Sequence, residues 1–198
     1  MGIHSTPTPQ HWNYFLALED DVARISRYLE FADANYDCYS LELARILFAA
    51  ASEADVVCKQ ICLVLNSESN AKSFKNYRQE IGKVYPQMVS TVVDMPRFGL
   101  AFSPWSGWTG KKVPLWWQAY NNVKHMRHTH FSDASLRHTL NAVAGLFVAL
   151  LFFYRDEGQE GQLSPNPRLF HAGTPFSIGR SAFGSDTNLY TLLPSSKG

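Results

Sequence analysis

The chain has little cysteine and no arrangement that suits a disulfide framework. Its three cysteines are Cys38, Cys58 and Cys62. An odd count leaves one unpaired, and Cys58 and Cys62 stand four apart on one predicted helix, a geometry that does not favour a bridge. No second Cys or His pair lies at the usual zinc spacing, so these read as core thiols. No secretory signal is present either, and the expectation is a reduced, cytoplasmic protein. Long apolar runs are missing. The longest, Ala142–Tyr154, has thirteen residues, too few to span a bilayer, and reads as a buried core helix. Net charge is nearly absent, with 18 Lys and Arg against 17 Asp and Glu. That excludes a general attraction to nucleic acid or anionic membrane, so any such binding needs local asymmetry. There is no Gly-rich phosphate loop, no Gly-x-Ser-x-Gly, no His-Glu-x-x-His, no internal repeat and no low-complexity block.

What is present is a globular composition. The 198 residues are 45% hydrophobic and 18% charged, enough for one domain with a substantial core. Residues 1–8 read as a loose N-terminal arm, 9–155 as a helical bundle of about five helices, and 156–198 as a linker and tail packed on it. A first helix is predicted from near Pro9 to about Ala32, with Trp12, Phe15, Leu18, Val22, Ile25 and Leu29 at helical spacing. A second runs from about Ser40, its N-cap, to Leu65, on a stripe of Leu43, Leu47, Ala50, Ala54, Val57, Ile61 and Leu65. A third covers about Asn70–Lys83. Residues 86–113 carry prolines, glycines, Trp105 and Trp108, and read as an aromatic connector with a short strand at Met88–Val93. Pro114 suits the first turn of a fourth helix to about His128. Ser132-Asp133 reads as the N-cap of a fifth, very apolar helix to about Arg155. In the tail, "LFHAG", "PFSIG" and "NLYTLL" are β-like.

The fourth helix ends in "YNNVKHMRHTH", residues 120–130. At about 100° per residue, Trp116, Ala119, Tyr120 and Val123 share one face, which should be buried. Trp117, Asn121, Lys124, His125 and His128 share the opposite one. From Lys111 to His138 there are five Lys or Arg and one acid, Asp133, whereas Leu16–Asp55 holds nine acids and three bases. Either the two halves neutralise each other or the basic segment faces an anionic ligand. Glu53 borders the apolar stripe of the second helix and needs a partner; a cation from the fourth helix is the natural one. Asp55 is expected to point outward. His125, His128 and His130, with Asp133 or Glu53, could be gathered round a metal, but the positive surroundings oppose a cation. No cofactor is expected.

The stretch "WWQAYNNVKHMRHTHF", set between two long helices with an aromatic connector and a very apolar helix, resembles the HEPN superfamily. The likeness is closest to a bacterial group with a W-W-x-x-Y-N-x-V-K-H-x-R core. It covers about residues 10–155, and its specific part is Trp116–Phe131. The resemblance implies an all-α, homodimeric bundle. Many members are metal-independent ribonucleases that join an Arg to a His four to six residues on, and members occur in toxin–antitoxin and phage-defence systems. A cognate toxin or antitoxin, RNA or a nucleotide would be the partner. In this chain only Lys124 and His130 fit that spacing, with Lys in place of Arg, which cannot make the bidentate phosphate fork. Asn121, Lys124, His125 and Arg127 are the matched residues. For cleavage, His125 would be acid or base, Lys124 and Arg127 would hold phosphate, and Asn121 would orient the imidazole or bind ribose. The same helix could instead bind RNA without cutting it, with Trp117, Trp105 and Trp108 stacking on bases. A third reading makes the polar cluster structural, in a non-enzymatic dimeric scaffold.

Overall fold

A computed structural model describes residues 8–109, 112–180 and 187–194. Most of the arm at 1–8 lies outside them, as does Lys111. The helices are α1 (Gln10–Ile25), α2 (Leu41–Leu65), α3 (Phe74–Val84), α4 (Leu115–His130), α5 (Leu136–Phe153) and the single-turn α6 (Arg155–Gln159). Five short strands accompany them: β1 (Val93–Met95), β2 (Leu100–Phe102), β3 (His171–Ala172), β4 (Phe176–Arg180) and β5 (Asn188–Leu192). The chain is mostly helical, and besides the expected bundle and β-like tail it carries two small antiparallel sheets. One has the order β2-β1-β3, with Val93 opposite both Phe102 and Ala172. The other is the β4–β5 hairpin, with Ile178 opposite Tyr190.

Helix starts follow local chemistry. Ser40 Oγ accepts the Leu43 amide at 3.1 Å and opens α2. Ser135, not Ser132-Asp133, caps α5 by accepting the His138 amide at 3.4 Å. The reason is tertiary: the Leu136 and Arg137 amides donate to the Cys38 and Tyr36 carbonyls, which fixes the corner one turn later. Helix α1 stops at Ile25 rather than Ala32. The Ser26 hydroxyl donates back to the Ala23 carbonyl at 2.8 Å, a bond that competes with helix continuation. The chain then turns so that Phe31 is buried 4.8 Å from Phe98. The expected strand at Met88–Val93 is a 3₁₀ turn over Pro86–Ser90 followed by β1. Ser90 and Thr91 hydroxyls both donate to the Gln87 carbonyl and close that turn.

The core lies between α2 and α5. The α2 stripe of Leu43, Leu47, Ala50, Ala54, Val57 and Ile61 is buried, and α5 is buried nearly all round. Although α5 is long and apolar enough to cross a membrane, 78% of that window is covered by the rest of the fold. The aromatic connector packs on this core. Each indole N–H finds a backbone carbonyl, Trp105 to Gly145 at 3.0 Å, Trp108 to Phe74 at 3.0 Å and Trp116 to Pro104 at 2.8 Å. Trp116 lies so close to α5 that a Cβ at Gly145 would sit 2.9 Å from its ring.

The tail is fastened by one buried carboxylate. Glu19, 1% exposed on α1, accepts the amides of Arg168, Leu169 and Phe170 at 2.8 to 3.1 Å. Arg168 also reaches Asp20. Glu19→Ala would leave buried N–H donors unsatisfied, at roughly 1–3 kcal/mol for each such group. The expected outcome is a lower urea midpoint together with rapid hydrogen exchange at residues 168–170. Unchanged exchange there would show that the tail is held by other contacts.

Candidate functional site

Helix α4 divides as its periodicity predicts. Trp116, Ala119, Tyr120 and Val123 are buried, while Lys124, His125, Arg127 and His128 are exposed. At the head of the polar face, Trp117 is half-buried and stacks on Phe74 at 3.7 Å between ring centroids. Trp105 and Trp108 are 0% and 1% exposed. The base-stacking surface expected of these indoles is therefore taken up by packing.

Asn121 does not turn towards His125. Its amide donates to the Trp117 carbonyl at 2.8 Å, one helical turn back. Met126 leaves the helical region, with φ −137° and ψ 42°, so α4 kinks there. The cations rest on aromatic faces on either side of the kink. Lys124 Nζ lies 5.3 Å from the Tyr120 ring centre and the Arg127 guanidinium 4.9 Å from that of Phe131. Beyond the kink, Asp133 ties the corner: its carboxylate accepts from Asn122 at 2.8 Å and stands 3.4 Å from His130 Nδ1. The sequence offers Asp133 as the one acid in a basic segment, as half of an N-cap and as a possible metal ligand, but gives no signal for its structural partner Asn122. Among the described residues, no cluster of three His, Cys, Asp or Glu is arranged to hold a metal.

The acidic candidates exchange roles. Glu53 pairs with His11, not with a cation of α4: its Oε1 is 2.5 Å from His11 Nδ1, and His11 Nε2 is 3.2 Å from Gln60 Oε1. The imidazole comes from α1, which packs on α2. Asp55 is half-buried rather than outward. The Tyr77 hydroxyl donates to it, and Lys124 and Lys59 lie within electrostatic reach. Burial is the largest influence on Asp55 and raises its carboxyl above the ordinary range, against the opposing pull of Tyr77 and the two lysines.

The two halves meet where Lys124 lies within electrostatic reach of Asp55, but among the described residues no ion pair joins them. Arg45 bridges Asp21 at 3.0 Å and Glu42 at 2.9 Å, within the acidic half. Among the described residues, no ion pair joins Lys124 or Arg127 to a carboxylate. Five surface cavities of about 100 to 420 Å³ include one of 290 Å³ bounded by Leu41, Phe48, Val123 and Arg127; none of the five is lined by His125. Cys58 and Cys62 are buried as expected, and burial, followed by Glu80, pushes the Cys62 thiol up to about 12. Cys38 is exposed.

Asp55 yields a test. Because burial raises its pKa on folding, the folded chain holds this proton more readily than the unfolded one. The carboxylate therefore subtracts stability as pH rises from the unfolded value through the folded value, and the loss is constant above it. Asp55→Asn is expected to raise the urea midpoint at neutral pH, with the gap from wild type closing as pH falls below the ordinary carboxylate range. A lower midpoint for the variant at neutral pH would mean that the Tyr77 and Lys124 contacts outweigh burial.

No known protein family, curated protein or solved structure matches the chain, so the bundle and the exposed end of α4 are what a functional reading has to rest on.

Proposed function

We propose that the chain is a HEPN-like bundle that binds RNA through the last two turns of α4, as a homodimer in a bacterial toxin–antitoxin or phage-defence setting. One observation carries the reading: Lys124, His125, Arg127 and His128 all stand exposed on one short stretch, and among the described residues neither Lys124 nor Arg127 forms an ion pair with a carboxylate, Asp55 lying only within electrostatic reach of Lys124. Tyr120 and Phe131 support the two cations from beneath. A cation on an aromatic face keeps its charge while losing freedom, which lowers the entropy lost on engaging phosphate. Phosphate contacts of this kind are electrostatic and independent of sequence.

The geometry favours binding over cleavage within one chain. His125 has no hydrogen-bond partner among the described residues, and Asn121, which was to orient it, is bonded to its own helix. A ribonuclease would need a second copy to bring an acid, a base or further cations to His125. A purely structural role finds support only at the inner edge of the cluster, in the Asn121 and Asn122 bonds.

The test is binding of a labelled single-stranded RNA across a salt series, with wild type, Lys124→Ala/Arg127→Ala and His125→Ala. Each neutralised phosphate contributes about 0.7 to the slope of log affinity against log salt on single strands. Losing both cations is expected to reduce that slope by about 1.4 and to weaken affinity at low salt, while circular dichroism stays unchanged. Equal affinity and slope in wild type and the double variant would overturn the proposal. Cutting of the RNA in EDTA by wild type, abolished in folded His125→Ala, would make the protein a metal-independent ribonuclease instead of a binder.

A further inference from the structure

On the other side of α5's first turn lies a partly open pocket of about 130 Å³ between the aromatic connector, the start of α4 and α5. It holds the volume of about four waters at roughly 30 Å³ each, well below the roughly 300 Å³ where drug-sized pockets begin. Arg137, His138 and Asn141 line it from α5, Ser103 and Ser106 from the connector, and Trp116 forms part of its apolar wall. No carboxylate lines it.

What sets the cavity apart is that its three α5 side chains are each fixed from behind. His138 Nδ1 is 2.9 Å from the Asp133 carbonyl oxygen and 3.3 Å from Ser135 Oγ. A carbonyl only accepts, so Nδ1 carries a proton and the ring is held in one orientation. The edge left for the cavity is Nε2. The Arg137 guanidinium lies over the Tyr36 ring at 4.6 Å. The Asn141 amide donates to the Arg137 carbonyl at 2.9 Å, which leaves its own oxygen unused by that bond. Facing them, the Ser103 and Ser106 side chains are exposed, and neither hydroxyl has a hydrogen-bond partner among the described residues. Side chains that are oriented before a ligand arrives lose little on binding it.

From this arrangement we infer that the cavity between Ser103–Ser106 and Arg137–Asn141 is a binding site for one phosphate group. The guanidinium supplies charge and paired donors, and the two hydroxyls supply neutral donors. The imidazole suits a phosphate in either protonation state. When protonated at both nitrogens it donates Nε2–H to an oxyanion; when neutral it accepts the proton of a P–OH, which a carboxylate or chloride cannot offer at neutral pH. Asn141 Oδ1 is a second acceptor for that P–OH. The ligand is either a small free phosphate compound or the terminal phosphate of a strand. The inference does not depend on RNA binding at Lys124 and Arg127, because no residue is shared.

The test is an NMR titration that follows the His138 imidazole C–H signals as inorganic phosphate is added at constant ionic strength, with chloride as the control salt. A saturable shift with phosphate and none with chloride is expected. Arg137→Gln should weaken phosphate binding by roughly tenfold or more, the loss of a charge-assisted hydrogen bond. Because Arg137 also covers Tyr36, Ser103→Ala/Ser106→Ala serves as the second variant, with a weakening of several-fold expected. Lys124→Ala/Arg127→Ala should titrate like wild type, which separates failure here from failure of the RNA-binding reading. A parallel titration with a 5′-phosphorylated and a 5′-hydroxyl trinucleotide identifies the source: a shift confined to the phosphorylated one and tighter than inorganic phosphate supports a strand end, and a weaker one supports a free phosphate compound. No saturable shift with phosphate, an equal response to chloride, or unchanged affinity in both folded pocket variants would overturn the inference.

Discussion

A single buried carboxylate decides how the tail that follows α6 is arranged. Glu19 is the one charged side chain in the core of the described residues, and it faces backbone amides rather than a cation. A carboxylate withdrawn from water is tolerated only where donors replace its hydration. Three consecutive amides of the tail do so, and they can converge on one group only if residues 168–170 adopt one path across α1. That path places His171–Ala172 beside β1 and allows the sheet to form. It also places Trp12, whose indole donates to the Pro165 carbonyl, under the segment that follows α6. The tail is thus part of the folded unit through polar bonds buried on its inner side, and its strands are a consequence of that attachment.

The aromatic connector obeys the same rule with different chemistry. Indole rings are large enough to fill the space between α3, α4 and α5, but each carries a donor that must be satisfied when buried. Backbone carbonyls satisfy all three, and one of them belongs to Gly145, within the most apolar helix. The absence of a side chain at Gly145 also leaves room for the Trp116 ring against α5, with its own N–H turned to the Pro104 carbonyl. The consequence for function is direct. Residues that look like stacking platforms on a list of residue types are committed to holding α4 at a fixed height, and the ligand-facing chemistry passes to the cations and histidines beyond the kink.

How far this was legible depended on the distance over which a feature is determined. Ser40 and the stripe of α2, the two faces of α4, the buried character of α5 and the β-like pieces of the tail all arise from spacing within one element, and the structure has them. Glu53 was recognisable as a carboxylate in need of a partner, but its partner His11 is 42 residues away on a helix that could not be oriented by periodicity. Asp55 was misplaced for the same reason: whether it faces outward depends on Tyr77, on a third helix. The cap of α5 moved by a few residues because a backbone pairing with Tyr36 and Cys38 selected Ser135 over an equally good Ser132-Asp133. His138 escaped notice altogether, since its orientation rests on the carbonyl of Asp133, a group that every residue carries.

The kink at Met126 connects the end of α4 to the start of α5. In a straight α4, Arg127 would stand about 60° and His130 about 120° round the axis from Lys124, so the polar stripe would have ended at His128. Leaving the helical region instead carries Arg127 onto Phe131 and His130 towards Asp133. Asp133 then receives Asn122 on its carboxylate and His138 on its carbonyl, so one residue orients both the end of α4 and the first turn of α5. The exposed cations and the small pocket at the start of α5 are therefore built from the same corner. A change at Asp133 would act on both, whereas a change at Lys124 or at Ser106 acts on one, and it is this asymmetry that allows the two surfaces to be separated by experiment.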